Sequence, residues 1–100
     1  MIKHVVMWNV QGATAEDRAH NAQRIKRAFE SLRERIPGLL RLEIGLDESR
    51  VDYACDAVLV TEFESRQALA DYALHPEHTR VRQELDGLRT ARYQVDFESP

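Results

Sequence analysis

A phenol and two imidazoles crowd around one proline in the stretch Asp71-Tyr72-Ala73-Leu74-His75-Pro76-Glu77-His78. Imidazole is the side chain that exchanges protons closest to neutral pH, and a phenol both donates and accepts hydrogen bonds. Leu69, Tyr72 and Ala73 follow the i, i+3, i+4 spacing of a buried helix face, so Tyr72 is expected to point inward from a short helix. Pro76 stops that helix, pushes His75 toward extended backbone and suits the first position of a new helix. His78 then falls in the first turn of the second helix. There the positive end of the helix dipole disfavours imidazolium and biases the ring toward its neutral, proton-accepting form. A neutral imidazole beside an inward phenol makes an acid–base pair: the phenol stabilises a developing oxyanion while the imidazole removes a carbon-bound proton.

Each of these residues also has a plainer reading. Tyr72 could be a core aromatic, His78 a polar residue at a helix start, and His75 a group that satisfies the backbone at the corner between helices. His4 is less easily dismissed, because it shares a strand face with Ile2, Val6, Trp8 and Val10. A histidine buried among such neighbours must be hydrogen-bonded or functional. His20 lies opposite the apolar stripe of its helix and reads as exposed. His75 and His78 are three apart, but Pro76 interrupts the helix between them and no cysteine or inward carboxylate completes a metal set. There is no glycine-rich phosphate loop and no nucleophile elbow. Neither a metal nor a cofactor is expected.

The elements that must position these groups follow from periodicity. Residues 2–10 alternate as a strand with apolar side chains on both faces. Thr14, with Asp17 three residues on, starts a helix of about five turns whose stripe is Ala22, Ile25, Phe29, Leu32 and Ile36 and which Pro37-Gly38 ends. Residues 39–46 form a second strand with Leu40, Leu42, Ile44 and Leu46 inward, and 47–53 a polar loop. Residues 56–63 make an interior strand, apolar on both faces. Ser65 caps the helix that ends at His75, and the helix opened by Pro76 turns Val81 and Leu85 inward until Gly87. Residues 90–98 alternate strictly, with Ala91, Tyr93, Val95 and Phe97 on the face expected to be half-buried. The order β-α-β-β-α-α-β predicts one α+β domain over residues 1–100, a ferredoxin-like four-stranded antiparallel sheet with an extra helix. Helices on one sheet face leave the other to a partner, which a second copy stacked sheet to sheet would supply.

Hydrophobic residues at 43% and charged residues at 31% describe an ordinary globular domain. A net charge of −3 without a basic, aromatic-rich run argues against nucleic acid. No apolar stretch approaches the roughly 20 residues that cross a bilayer. The single Cys55 and the lack of a leader-like start point to a cytoplasmic, reducing location.

The segment Tyr72 to His78, with the opening Ile2-Lys3-His4-Val5-Val6 and the run Val60-Thr61-Glu62-Phe63-Glu64-Ser65, resembles the stress-responsive A/B barrel (Dabb) family over nearly the whole chain. That resemblance implies a homodimer in which two sheets close one barrel. The family includes plant stress proteins and a plant polyketide cyclase in which the motif's tyrosine and second histidine perform an intramolecular aldol condensation. Carried over residue by residue, these are Tyr72 and His78. His4 lines the same cavity in the family and would orient the substrate, with His75 and Trp8 as binding residues. The cyclase has a further histidine in its third strand where this chain carries Ala57. The expected protein is thus a dimer with a small, mainly apolar cavity bordered by His4, Tyr72, His75 and His78. It would bind or transform a small apolar or carbonyl-containing molecule by cofactor-independent acid–base chemistry. The alternative is a non-catalytic stress-response dimer.

Overall fold

A computed structural model describes residues 1–100. The element order is β1 (Ile2–Val10), α1 (Ala15–Glu30), β2 (Leu39–Leu46), β3 (Ala57–Phe63), α2 (Arg66–Leu74), α3 (Pro76–Glu84) and β4 (Arg89–Glu98). The strands form one sheet in the order β2-β3-β1-β4, every neighbouring pair antiparallel. This is the ferredoxin-like plan read from the sequence. The helices rest on β1, β2 and β3. Ile25, Phe29 and Leu32 fill the core with Val6, Trp8, Leu59, Phe63, Val81 and Leu85.

Capping sets the helix starts. The Thr14 hydroxyl accepts the Asp17 amide at 3.0 Å and the Ser65 hydroxyl accepts the Ala68 amide at 3.1 Å. α1 ends earlier than its apolar stripe predicts. After Glu30 the chain tightens into i→i+3 bonds, Leu32 to Phe29 and Arg33 to Glu30, and Glu34 adopts φ 65°. Leu32 and Ile36 still reach the core, but from turns rather than from a fifth helical turn.

Two expected strand faces are corrected. Leu40 is 53% exposed because the β2–β3 register shifts between Leu39 and Arg41, which leaves Leu39 in its place against the core. On β4 the apolar face is the exposed one. Residues directly opposite across strands share a face, and the pairs Val5–Val95 and Met7–Tyr93 put β4's apolar side chains on the face away from the helices. Met7, Tyr93, Val95 and Phe97 are 40–60% exposed there. The polar side of β4 is the helix side: His4 pairs with Asp96, Val6 with Gln94 and Trp8 with Arg92.

Gly38 sits at φ 78°, and a Cβ added to it would lie 2.6 Å from the Ala68 Cβ of α2. Both the backbone angle and the close approach require glycine, and α2 carries Tyr72. Gly38→Ala is therefore expected to lower stability by about 1–3 kcal/mol in urea unfolding at constant m-value.

Candidate functional site

α2 and α3 meet at a corner built by His75 and Pro76. His75 has φ −69° and ψ 139°, the extended geometry required before proline, and its Nδ1 accepts the Glu77 amide at 3.0 Å. His75 is thus the N-cap of α3 and does not border the cavity described below. Tyr72 lies just before the corner and His78 just after it. Their rings meet edge to face with centroids 4.5 Å apart. Phe63 packs on the phenol at 5.1 Å and His4 approaches it at 6.3 Å.

The Tyr72 hydroxyl and the His78 Nδ1 are both buried without a hydrogen-bond partner. Buried polar groups are normally paired, so two orphans on adjacent rings mark a place where an additional group completes the bonding. Burial pushes the Tyr72 phenol up to about 12, with Arg92 and Arg89 pulling it partly back. Burial also pushes the His78 imidazole below its ordinary 6.5; the Arg82, His4 and Arg89 charges add to this and the Ala73 backbone partly opposes it. The neutral imidazole expected from the helix dipole is present, but desolvation is its leading cause. At neutral pH the pair is a protonated phenol beside a neutral imidazole.

His4 is 7% exposed and its Nδ1 lies 2.5 Å from an Asp96 carboxylate oxygen. The other Asp96 oxygen accepts from the Gln94 amide at 2.8 Å. A carboxylate on Nδ1 keeps the proton there and leaves Nε2 as the ring's acceptor. This orienting carboxylate escaped the sequence reading because Asp96 is ninety-two positions away on a face taken for solvent. The signal that could have found it is strand register, since β1 and β4 place Asp96 directly opposite His4.

Trp8 is 2% exposed, stacks on Phe29 at 4.9 Å and lies under the Arg89 guanidinium at 5.6 Å. Its indole N–H is a third buried orphan. Trp8 and His78 line an open cavity of ≈ 590 Å³ with Arg82, Arg89, Thr90, Ala91 and Arg92. The cavity is basic, which corrects the expected apolar lining: helix α3 and strand β4 each turn arginines into it. Of the four residues expected to border the cavity only His78 lines it; Tyr72 and His4 are buried next to it, with the phenol edge to face on the His78 ring. Ala57 is buried between Trp8 and Leu46 in the register.

The sequence pattern of the Stress responsive A/B Barrel Domain (Dabb) matches residues 2–99. The chain belongs to the stress-responsive A/B barrel family. No curated protein sequence matches it. Among solved structures it is similar to a dimeric Bacteroides fragilis protein of unknown function with a ferredoxin-like fold, at 26% identity, covering 98% of this chain and 95% of that one, with TM-score 0.85. A Dabb family protein from Mesorhizobium loti shares the fold at 19% identity, 99% and 96% coverage and TM-score 0.76. A protein described as an antibiotic biosynthesis monooxygenase shares it at 16% identity, 100% and 99% coverage and TM-score 0.73. As in the Dabb protein from Mesorhizobium, the ferredoxin-like sheet is the scaffold here. No helix of the chain is long and apolar enough to cross a membrane.

The two shifted groups fix the sign of the pH dependence. His78 binds protons less readily folded than unfolded, so stability is expected to fall as pH drops below 6.5, the unfolded value. Tyr72 holds its proton to about 12 against 10.0 unfolded, so stability is lost as pH rises through that window. Differential urea unfolding checks both. The alkaline loss, of order 2 kcal/mol, is expected in the native chain and absent in Tyr72→Phe. Near pH 7 the same variant is expected to match or exceed the native chain by about 1 kcal/mol, since it removes an unpaired buried hydroxyl.

Proposed function

We propose that the protein binds and transforms a small carbonyl-bearing organic molecule by cofactor-independent acid–base chemistry. His78 is the base, Tyr72 the hydrogen-bond donor and His4, held by Asp96, the orienting group. The observation that carries this reading is the apposition of Tyr72 and His78 at 4.5 Å, with the hydroxyl and Nδ1 both buried and unpaired. Neutral His78 takes a proton from the carbon beside a carbonyl; the C–H electron pair forms the C=C bond of the enolate and the C=O π pair moves onto the carbonyl oxygen. The Tyr72 hydroxyl, which burial keeps protonated, donates to that enolate oxygen. In an aldol step the enolate carbon then attacks a second carbonyl of the same molecule, and the imidazolium returns its proton to the new alkoxide. This is the chemistry that the resemblance to the polyketide cyclase implies.

General base and oxyanion donor each supply factors of roughly 10² or more. Exchange of the α-protons of a linear 1,3-diketone in D₂O, followed by NMR, reads the first step alone. His78→Ala and Tyr72→Phe are each expected to slow the catalysed exchange by about 10²-fold with the fold intact. If neither slows it, the acid–base reading is wrong.

We also infer that the working form is a homodimer paired through the far sheet face. Met7, Tyr93, Val95 and Phe97 form an apolar patch there that no element of the chain covers, and the Bacteroides relative is described as dimeric. Val95→Glu, at a position 60% exposed in the single chain, is expected to yield monomers in analytical ultracentrifugation while leaving the protomer folded. A dimer that persists in Val95→Glu would place the interface elsewhere. The second reading of the function, a non-catalytic dimer, draws on this same patch; it gains if dimerisation is lost on substitution while both acid–base variants behave as the native chain does.

A further inference from the structure

Three arginines converge on the cavity that Trp8 and His78 line: Arg82 from α3, and Arg89 and Arg92 from β4. None of them has a carboxylate within 4.0 Å, whereas Arg33, Arg35, Arg41, Arg50, Arg66 and Arg80 all do; the other unbridged arginines, Arg18, Arg24 and Arg27, do not line this cavity. Arg89 is half-buried with its guanidinium over the Trp8 ring. Burial weakens its hold on its proton, and the neighbouring Arg82 and Arg92 charges add to that effect. Asp86, which borders an adjoining hollow with Arg82 and Arg89, and the Tyr72 phenol partly oppose it, and Asp86 is the one carboxylate that does so. Three like charges around a concave surface with one carboxylate at its edge raise the local affinity for an anion.

We propose that this cavity is a carboxylate site: Arg82, Arg89 and Arg92 hold the carboxylate of a small organic acid whose unsaturated body lies toward Trp8 and His78. The planar fork of a guanidinium matches the two oxygens of a carboxylate. A cavity of ≈ 590 Å³ has the size of a small-molecule site, and the Trp8 and His78 rings at its lining give an unsaturated body contacts that a bare inorganic anion has no use for. The assignment deepens the acid–base reading and rests on it for the direction of the ligand's body. It names the substrate class as a keto acid or aromatic acid, with the anion anchored at the mouth and the reacting carbon presented inward.

Trp8 is the sole tryptophan of the chain, so its indole N–H gives one resolved NMR signal at the site. Benzoate, its neutral isostere benzamide and inorganic phosphate are titrated into the ¹⁵N-labelled protein. Benzoate is expected to shift the Trp8 signal saturably, with benzamide at least tenfold weaker, and with phosphate at equal concentration failing to displace it. Arg82→Gln, on an exposed helix position, and Arg92→Gln are each expected to weaken benzoate by about tenfold. Equal binding of benzamide, no saturable shift with benzoate, or unchanged benzoate affinity in both variants overturns the carboxylate site. Displacement by phosphate at equal concentration also overturns it, in favour of a general oxyanion site. This readout involves no turnover, so its failure is separable from failure of the diketone exchange assay, which the neutral substrate and the Tyr72 and His78 variants address.

Discussion

The bend at His75 and Pro76 is the constraint on which the site depends. In one continuous helix, side chains six positions apart would be rotated by about 120° around the axis, and Tyr72 and His78 would face different neighbours. Pro76 removes the amide that a continuous helix would need, and His75 replaces the lost bonding by capping Glu77 through its ring nitrogen. The chain therefore leaves α2 and re-enters α3 in a new direction, and the two rings on either side of the break come to 4.5 Å. Upstream, the same geometry leans on Gly38, whose missing Cβ lets Ala68 and the start of α2 settle against the β2 entry.

The bend brings the rings together, but their protonation states come from what surrounds them. Phe63 and the strands β1 and β3 exclude water from Tyr72, which keeps the phenol protonated far above neutral pH. Partial burial together with the Arg82 charge keeps His78 neutral. One environment thus pushes an acid and a base in opposite directions, and each is left in the form that can take part in proton transfer. The cost is visible in the orphaned hydroxyl, ring nitrogen and indole N–H, the buried polar side-chain atoms without a partner, all gathered around this site.

Local pattern carried the fold and the motif, and long-range register carried what was missed. The order of elements, the caps at Thr14 and Ser65 and the corner at Pro76 follow from residues within a few positions of each other, whereas the neutral His78 rests first on desolvation that the local pattern does not show. The end of α1 did not, because Leu32 and Ile36 keep helical spacing while the backbone between them leaves the helix. Leu40 kept strand spacing through a bulge that only pairing with β3 reveals. On β4 the alternation separates two faces without saying which one the helices cover. Only the β1–β4 register sets Asp96 beside His4 and Arg92 beside Trp8, and with them the orienting carboxylate and the basic cavity.

That inversion of β4 makes sense of the sheet as a whole. β1 to β3 bury apolar side chains under the helices, so their helix face is spoken for. β4 lies beyond the helices' cover, and apolar residues on its helix side would meet solvent at the cavity mouth. Its sequence instead puts Arg92, Gln94 and Asp96 there, where Asp96 pairs with His4 and Arg92 lines the cavity, and it moves Tyr93, Val95 and Phe97 to the opposite face. An edge strand that is polar toward the site and apolar away from it can serve both requirements at once only if the apolar side is covered by something outside the chain. The layout of the site and the proposed pairing of two copies are therefore consequences of one alternating run of residues.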